Sequence, residues 1–130
     1  MDIKKHITAL GFVPKNGTNG IYHKIYVDYA IEIDFESQSI NYGSAITAES
    51  KTTQNFSQPE NFVVLECVDR LLTKGYNPQN IVLEKTWPSG HGTSGRLDIC
   101  VNREDGTPYM LIECKTFGKE YDKELARIRK

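Results

Sequence analysis

The fold is decided by two stretches of sequence: residues 95–101 read Gly-Arg-Leu-Asp-Ile-Cys-Val, and residues 109–115 read Tyr-Met-Leu-Ile-Glu-Cys-Lys. Each stretch has the apolar and β-branched composition of a strand. The Asp105-Gly106 pair that separates them is typical of the turn in an antiparallel hairpin. We therefore expect two paired core strands, in which a charged side chain is costly unless it has a partner or a function.

Three charged side chains, Asp98, Glu113 and Lys115, lie on the strands expected at residues 97–102 and 109–115. Alternate side chains of a strand share a face, so Glu113 and Lys115 are expected to project together, away from Ile112 and Cys114. The hairpin would bring Asp98 beside Glu113. The sequence thus predicts two carboxylates and one ammonium group at the edge of an otherwise apolar sheet.

This arrangement of charges favours a hard divalent cation. Two neighbouring carboxylates repel each other, so one must take up a proton or a cation must neutralise the pair. Mg²⁺ accepts one or two carboxylates, keeps several waters and binds phosphate oxygens. Asp98 and Glu113 are therefore candidate metal ligands, and Lys115 would orient or help deprotonate an attacking water. The alternative is an exposed strand face whose ion pair contributes about 0–1 kcal/mol.

Outward from these strands, residues 55–130 predict alternating helix and strand. A glycine-rich loop at residues 87–96 precedes the Asp98 strand, and its Ser94 and Arg96 are candidate phosphate contacts. The chain stops within a basic segment, so we expect it to be a piece of a longer protein. The expected elements are a helix starting at Pro59 and ended by Gly75, strands at residues 81–86, 97–102 and 109–115, and a charged helix at residues 119–130.

Residues 1–54 predict a small N-terminal section. Apolar residues at helical spacing from Ile3 to Leu10, followed by Gly11, indicate a short helix. Period-two alternation between Ile21 and Asn41, with a turn near Ser37, indicates a β-meander. Residues 50–59 are polar, without a hydrophobic period, and are expected to be a linker.

Composition excludes several classes of protein. The 130 residues carry 16 basic and 17 acidic side chains, a net charge of −1, which argues against a nucleic-acid binder that relies on bulk positive charge. No apolar run approaches the ~20 residues of a transmembrane helix, and the N-terminus lacks a signal-type segment. We expect a cytoplasmic protein without a membrane partner. Its three cysteines are expected to be reduced core thiols rather than a zinc site completed by His91.

The order of helix, strand, Asp-bearing strand and Glu-X-Lys strand resembles the PD-(D/E)XK nuclease superfamily, with Leu97 at the position of the Pro. Residues 55–61, 92–98 and 109–115 resemble the N-terminal nuclease domain of type I restriction enzyme R subunits and of fused restriction-modification N-6 adenine DNA methyltransferases. This resemblance implies an α/β fold, of mixed-sheet α+β type, with a restriction-endonuclease-like core at residues 55–130 and an N-terminal helix-plus-meander extension at residues 1–54. Related nucleases continue into a Gln-X-X-X-Tyr helix and another strand, so the core is expected to be truncated at its C-terminus.

The resemblance also implies roles for individual residues. Asp98 and Glu113 would hold the metal, and Lys115 would be the catalytic lysine. The family often adds an acidic residue from the first helix, and Glu66 is the best match. The alternative for Glu66 is an ion pair with Arg70, and Glu60 suits the helix dipole better than a catalytic role.

The function implied by the resemblance is Mg²⁺-dependent hydrolysis of phosphodiester bonds in double-stranded DNA, with Mn²⁺ as a substitute, by an endonuclease within a restriction-modification enzyme. Its expected partners are the DNA and a helicase or methyltransferase domain or subunit. The main alternative is a catalytically silent nuclease-fold domain used for DNA binding or subunit assembly. A third interpretation, a small-molecule or metal-binding β-domain at residues 1–54, depends on the acidic face of Glu32, Asp34 and Glu36, which is more simply a solvated sheet face.

Overall fold

The computed structural model describes residues 2–88 and 94–114. These residues form two α-helices, one 3₁₀ helix and two four-stranded sheets, one of them mixed, so the expected α+β content is confirmed. The elements are α1 (Ile3–Ala9), β1 (Val13–Pro14), β2 (Ile21–Tyr26), β3 (Tyr29–Asp34), β4 (Ser39–Asn41), β5 (Thr47–Ala48), α2 (Glu60–Thr73), the 3₁₀ helix (Pro78–Asn80), β6 (Ile81–Pro88), β7 (Ser94–Asn102) and β8 (Pro108–Ile112).

The first sheet is the predicted meander. Its strands follow the order β1-β2-β3-β4, and every pair is antiparallel. Ile31 and Ile33 of β3 are fully buried, whereas the alternating Glu32 and Asp34 are only partly buried. The period-two pattern therefore identified the core face correctly.

The second sheet is mixed and has the order β5-β6-β7-β8 among the described strands. Strand β5 pairs with β6 in parallel, and β6, β7 and β8 form successive antiparallel hairpins. The register places Leu83 opposite Ile99 and Ile99 opposite Ile112, so these apolar side chains line one face. The division at residues 54 and 55 remains a prediction; β5, from the N-terminal side of it, contributes to this second sheet.

Helix α2 packs its apolar side chains into one hydrophobic core with residues of both sheets. Phe62, Leu65 and Val68 are at most 1% exposed and recur at three-residue spacing along one face of the helix. Glu60 lies in the first turn, where a negative charge is favourable, and Gly75 follows the helix with a φ of +96°. Neither helix of the described ranges has the length and apolar character needed to cross a membrane.

A buried polar network joins α2 to the first sheet. The Asp69 carboxylate is 7% exposed and lies 2.6 Å from Lys24 Nζ. The Tyr26 hydroxyl donates to the same carboxylate oxygen at 2.7 Å, and Lys24 also donates to the Leu10 carbonyl at 2.6 Å. This network fixes the helix against β2, because displacing it would leave a buried charge unpaired.

Two expected boundaries were wrong near the Asp98 strand. Residues 87–96 do not form one continuous loop, because β6 extends to Pro88 and β7 begins at Ser94, with Pro88 opposite Ser94. Strand β8 ends at Ile112 rather than continuing to residue 115, and Leu111 is 58% exposed. Its outer face is therefore not core, since β8 is the last strand of the described sheet. The expected helix at residues 119–130 lies outside the described residues.

Residues 50–59, predicted to be a linker, contain no helix or strand, but parts of the segment are packed against the fold. Thr53 is 4% exposed, and the side-chain amide of Asn61 donates to the Thr52 and Asn55 carbonyls, each at 2.9 Å. The Ile40 N–H also donates to the Gln54 carbonyl at 2.9 Å. Polar composition does not predict this packing, because three backbone carbonyls of the segment accept hydrogen bonds from other protein groups.

Two buried tyrosines differ in their hydrogen bonding, which predicts opposite effects of the same substitution. Tyr26→Phe removes a hydrogen bond to a buried carboxylate and should lower the free energy of unfolding by about 1–3 kcal/mol. The Tyr42 hydroxyl is buried and has no hydrogen-bond partner among the described residues, so Tyr42→Phe should be neutral or stabilising by up to about 1 kcal/mol. Urea unfolding measures both, and equal losses would contradict this difference.

Burial, the largest cause, raises the pKa of both Tyr26 and Tyr42 above its ordinary value. The unfolded chain therefore loses these protons near pH ~10, while the folded chain still holds them. The contribution of these two tyrosines to the free energy of unfolding is therefore complete below pH ~10 and is lost as the pH rises above it. Stability measured from pH 8 to pH 11 should fall less steeply in Tyr42→Phe than in the parent chain, and an unchanged slope would contradict the raised pKa.

Candidate active site

Asp98 lies on β7, one residue before Ile99. Ile99 is paired with Ile112 of β8. Continuing that antiparallel register by one residue would place Asp98 opposite Glu113. The Cys114 N–H donates to Asp98 Oδ2 at 2.7 Å, which holds the carboxylate against the backbone that follows β8. Asp98 is partly buried and Glu113 is exposed. The hairpin thus joins the two predicted metal-ligand positions.

Three other predicted site residues are described partly or not at all. Lys115 lies outside the described residues. Ser94 and Arg96 lie on β7, opposite Pro88 and Thr86, and only their backbone positions are described. Their predicted phosphate contacts remain a prediction.

The basic partners of Glu66 are Arg70 and His6. Its carboxylate forms an i,i+4 ion pair with Arg70 at 3.2 Å and lies 3.9 Å from His6 Nε2. The Arg70 side chain is 72% exposed, so the pair contributes at most about 1 kcal/mol. This ion pair is the alternative that the sequence left open for Glu66. Asp98 lines a small cavity, described next, and Glu66 is not among its lining residues.

A small cavity of about 110 Å³ lies between the first turn of α2, the segment before it, and strands β6 and β7. At ~30 Å³ per water it has room for a few waters, or for a hydrated ion, but not for a nucleotide. Acidic residues from three elements line it: Glu60 from α2, Glu84 from β6 and Asp98 from β7. The remaining lining residues are Thr52, Thr53, Gln58, Asn61 and Val64.

Glu84 is the most constrained of these acids. It is 2% exposed, and its φ of +53° lies in the left-handed region that non-glycine residues rarely adopt. The β6–β7 pairing is interrupted at Glu84. The pairs on either side are Leu83 with Ile99 and Lys85 with Leu97, so Glu84 occupies the position opposite Asp98. The Thr52 hydroxyl donates to the Glu84 carboxylate. The fold therefore sustains a conformation costing about 1–3 kcal/mol to keep two acids on adjacent strands at this cavity.

The wall opposite the strands contains an unsatisfied polar group. The Thr53 hydroxyl is buried and has no hydrogen-bond partner among the described residues. Burying such a group without a partner costs about 1–3 kcal/mol.

The chemistry of this donor set fits a hard cation. Residues with carboxylate, hydroxyl and amide groups line the cavity, and oxygen groups are the ligands of Mg²⁺, whereas zinc sites use mainly Cys and His. No three His, Cys, Asp or Glu side chains in residues 2–88 and 94–114 are grouped closely enough to enclose a metal. Mg²⁺ needs only one or two carboxylates, because waters and substrate phosphates complete its coordination.

Sequence reasoning missed Glu84 and set Glu60 aside. A signal for Glu84 was present, since it follows Ile-Val-Leu in a buried strand, where a charge is costly. Glu60 at a helix start is equally compatible with the helix dipole, so the sequence alone did not separate the two roles. Nothing in the sequence pointed to Thr53.

Two cysteines lie beside the site. Cys67 of α2 and Cys114 after β8 have their sulfurs 3.6 Å apart, and the Cys114 thiol donates to Cys67. This hydrogen bond lowers the pKa of Cys67 to about 7 and, together with burial, raises the pKa of Cys114. All three cysteines are free thiols, as expected, and His91 of the zinc alternative lies outside the described residues.

Comparison with known protein families gives one match for more than half of the chain. The model of the family described as Type I restriction enzyme R protein N terminus (HSDR_N) matches residues 59–129. The match contains α2, β6, β7 and β8, and with them Glu60, Glu84, Asp98 and Glu113. No curated protein is significantly similar to the chain.

The contact between Asp98 and the Cys114 N–H predicts a difference between two substitutions. Asp98→Ala leaves this N–H without its acceptor, whereas Asp98→Asn keeps an oxygen that can accept. Asp98→Ala should therefore be less stable than Asp98→Asn by about 1–3 kcal/mol. Thermal unfolding of the two variants measures the difference, and both have lost the same negative charge. Equal stabilities would show that the hydrogen bond does not support the fold.

Proposed function

Because the chain belongs to the family of type I restriction enzyme R protein N termini, we propose that it is the Mg²⁺-dependent nuclease domain of a restriction-modification enzyme. The proposed reaction is hydrolysis of phosphodiester bonds in double-stranded DNA. The observation that carries the proposal is that Asp98, Glu60 and Glu84 line one cavity, and that the N–H of Cys114, the residue after Glu113, donates to Asp98 Oδ2.

Asp98 and Glu113 are the proposed ligands of the metal, and Mn²⁺ is expected to substitute for Mg²⁺. When bound, the ion would act as a Lewis acid on the phosphodiester and lower the pKa of a coordinated water. The acidic residues that line the cavity with Asp98 support this choice of ion; Glu113 is exposed and is not among the lining residues. The proposal needs no third carboxylate, although Glu60 and Glu84 line the same cavity.

The remaining roles belong to side chains of the chain itself. The Cys114 N–H orients the Asp98 carboxylate, so this acid is positioned before any ligand arrives. Lys115, two residues after Glu113, would share its face on an extended chain and would position the attacking water and offset negative charge on the phosphate. Ser94 and Arg96 are proposed to contact the DNA backbone. Helicase or methyltransferase domains or subunits are the proposed protein partners.

For the helix acid, the geometry favours Glu60 over Glu66. Glu60 lines the cavity with Asp98, whereas Glu66 pairs with Arg70. We expect Glu60→Gln to weaken Mn²⁺ binding by about tenfold, the loss of one favourable charge interaction near the ion. Glu66→Gln is the matched control, since it removes the same charge from the same helix. Calorimetric titration of both variants decides the assignment, and a larger loss in Glu66→Gln would reverse it.

The catalytic proposal is tested in the intact restriction enzyme. Asp98→Asn and Lys115→Ala should each lower the DNA cleavage rate by about 10²–10⁴-fold, the usual effect of removing a catalytic group. Glu36→Gln, an exposed acid after β3, is the control and should cleave like the parent. Full cleavage by either site variant would reject the nuclease assignment. Absence of Mn²⁺ binding by the parent enzyme would instead favour the silent domain used for DNA binding or assembly.

A further inference from the structure

The Cys67–Cys114 pair is a feature that the proposed nuclease chemistry does not use. The two sulfurs are 3.6 Å apart, and a disulfide bond of ~2.05 Å would require them to approach by only about 1.5 Å. They belong to elements distant in sequence, helix α2 and the segment after β8. A bond between them would therefore join the helix to the hairpin that carries Asp98.

One of the two thiols can be reached from outside. Cys67 is partly exposed, whereas Cys114 is 3% exposed. Cys67 also lines a surface cleft of about 260 Å³, together with Met110, Ile112 and the basic residues Arg70 and Lys74. This cleft combines an accessible sulfur and apolar side chains with two cations, of which Arg70 also forms an ion pair with Glu66 at 3.2 Å. The cations suit a small disulfide that carries carboxylates.

We propose that Cys67 and Cys114 form a reversible disulfide by exchange with a low-molecular-weight disulfide carrying carboxylates, and that closing this bond loosens the site at Asp98. The proposed effect on the site at Asp98 rests on the proposed function. Cys67 is the entry sulfur because it is accessible, and Cys114 is the resolving sulfur because it lies within contact distance. Disulfides in reducing compartments are usually transient and of this regulatory kind.

The exchange balances without a further reagent. Cys67 gives its proton to water and its thiolate attacks one sulfur of the reagent RSSR, so that a mixed disulfide forms and RS⁻ leaves. The Cys114 thiol gives its proton to this RS⁻, and its sulfur attacks Cys67 Sγ. The second RS⁻ leaves and takes up the proton that Cys67 released. Two protein thiols are oxidised, and one RSSR is reduced to two RSH.

The closed bond would act on the site through the backbone. Cys114 donates its N–H to Asp98 Oδ2 and directly follows Glu113. Drawing its sulfur toward α2 pulls this N–H, so the carboxylate loses its fixed orientation. Oxidation is therefore expected to weaken Mn²⁺ binding by about tenfold or more, the scale of changes next to metal ligands.

The first experiment treats the chain with oxidised glutathione and measures intact mass, free thiols and cross-linked peptides. The parent and Cys100→Ser should each lose two thiols and give a peptide joining residues 67 and 114. Cys114→Ser should stop at a mixed disulfide on Cys67, and Cys67→Ser should stay reduced. Failure of the parent to form this cross-link, or a stable glutathione adduct in its place, would overturn the proposal whether or not the serine variants fold.

Two further measurements test the cleft and the consequence. Arg70→Ala and Lys74→Ala should slow the reaction with anionic oxidised glutathione by about two- to tenfold, but not with neutral hydroxyethyl disulfide. Equal slowing by both reagents would reject the carboxylate selectivity. Calorimetry then compares Mn²⁺ affinity before and after oxidation, and equal affinities would reject the effect on the site. If the reduced chain binds no Mn²⁺, the proposed function fails while the cross-link result still stands.

Discussion

The buried carboxylate of Asp69 is the interaction on which the placement of the other elements depends. Lys24 and Tyr26 reach it from β2 at 2.6 and 2.7 Å, so α2 has one permitted position on the first sheet. A shift of the helix along its axis would leave a buried charge without its partners, a penalty of about 3–5 kcal/mol. The first turn of α2, with Glu60 and Asn61, is thereby held over the second sheet.

The position of α2 determines one wall of the cavity, because residues of its first turns line it. The Asn61 amide holds the backbone of the preceding segment, and the Phe56 and Phe62 rings meet edge to face with centroids 5.2 Å apart. In this segment, Thr53 is one of the residues that line the cavity, and the Thr52 hydroxyl donates to the Glu84 carboxylate. Three carboxylates of distant sequence origin therefore share one cavity because of packing that lies outside it.

The sequence predicted what depends on local pattern. Alternation identified the buried face of Ile31 and Ile33, and the Asp105-Gly106 turn predicted the hairpin that brings Asp98 to Glu113. It did not predict the left-handed backbone of Glu84 or the inward turn of Thr53, because both are imposed by packing between segments far apart in the chain. The role of Lys115 is still a prediction, made from strand alternation and from resemblance alone.

The parallel pairing of β5 with β6 has a consequence for how the chain assembles. Each antiparallel pair joins strands that follow one another closely, whereas this pair joins Thr47 to Val82 across the whole of α2. Such a contact carries a larger loop-closure entropy and forms late. The segment that leaves β5 supplies Thr52 and Thr53 to the cavity, so the cavity is expected to be the last region to become native.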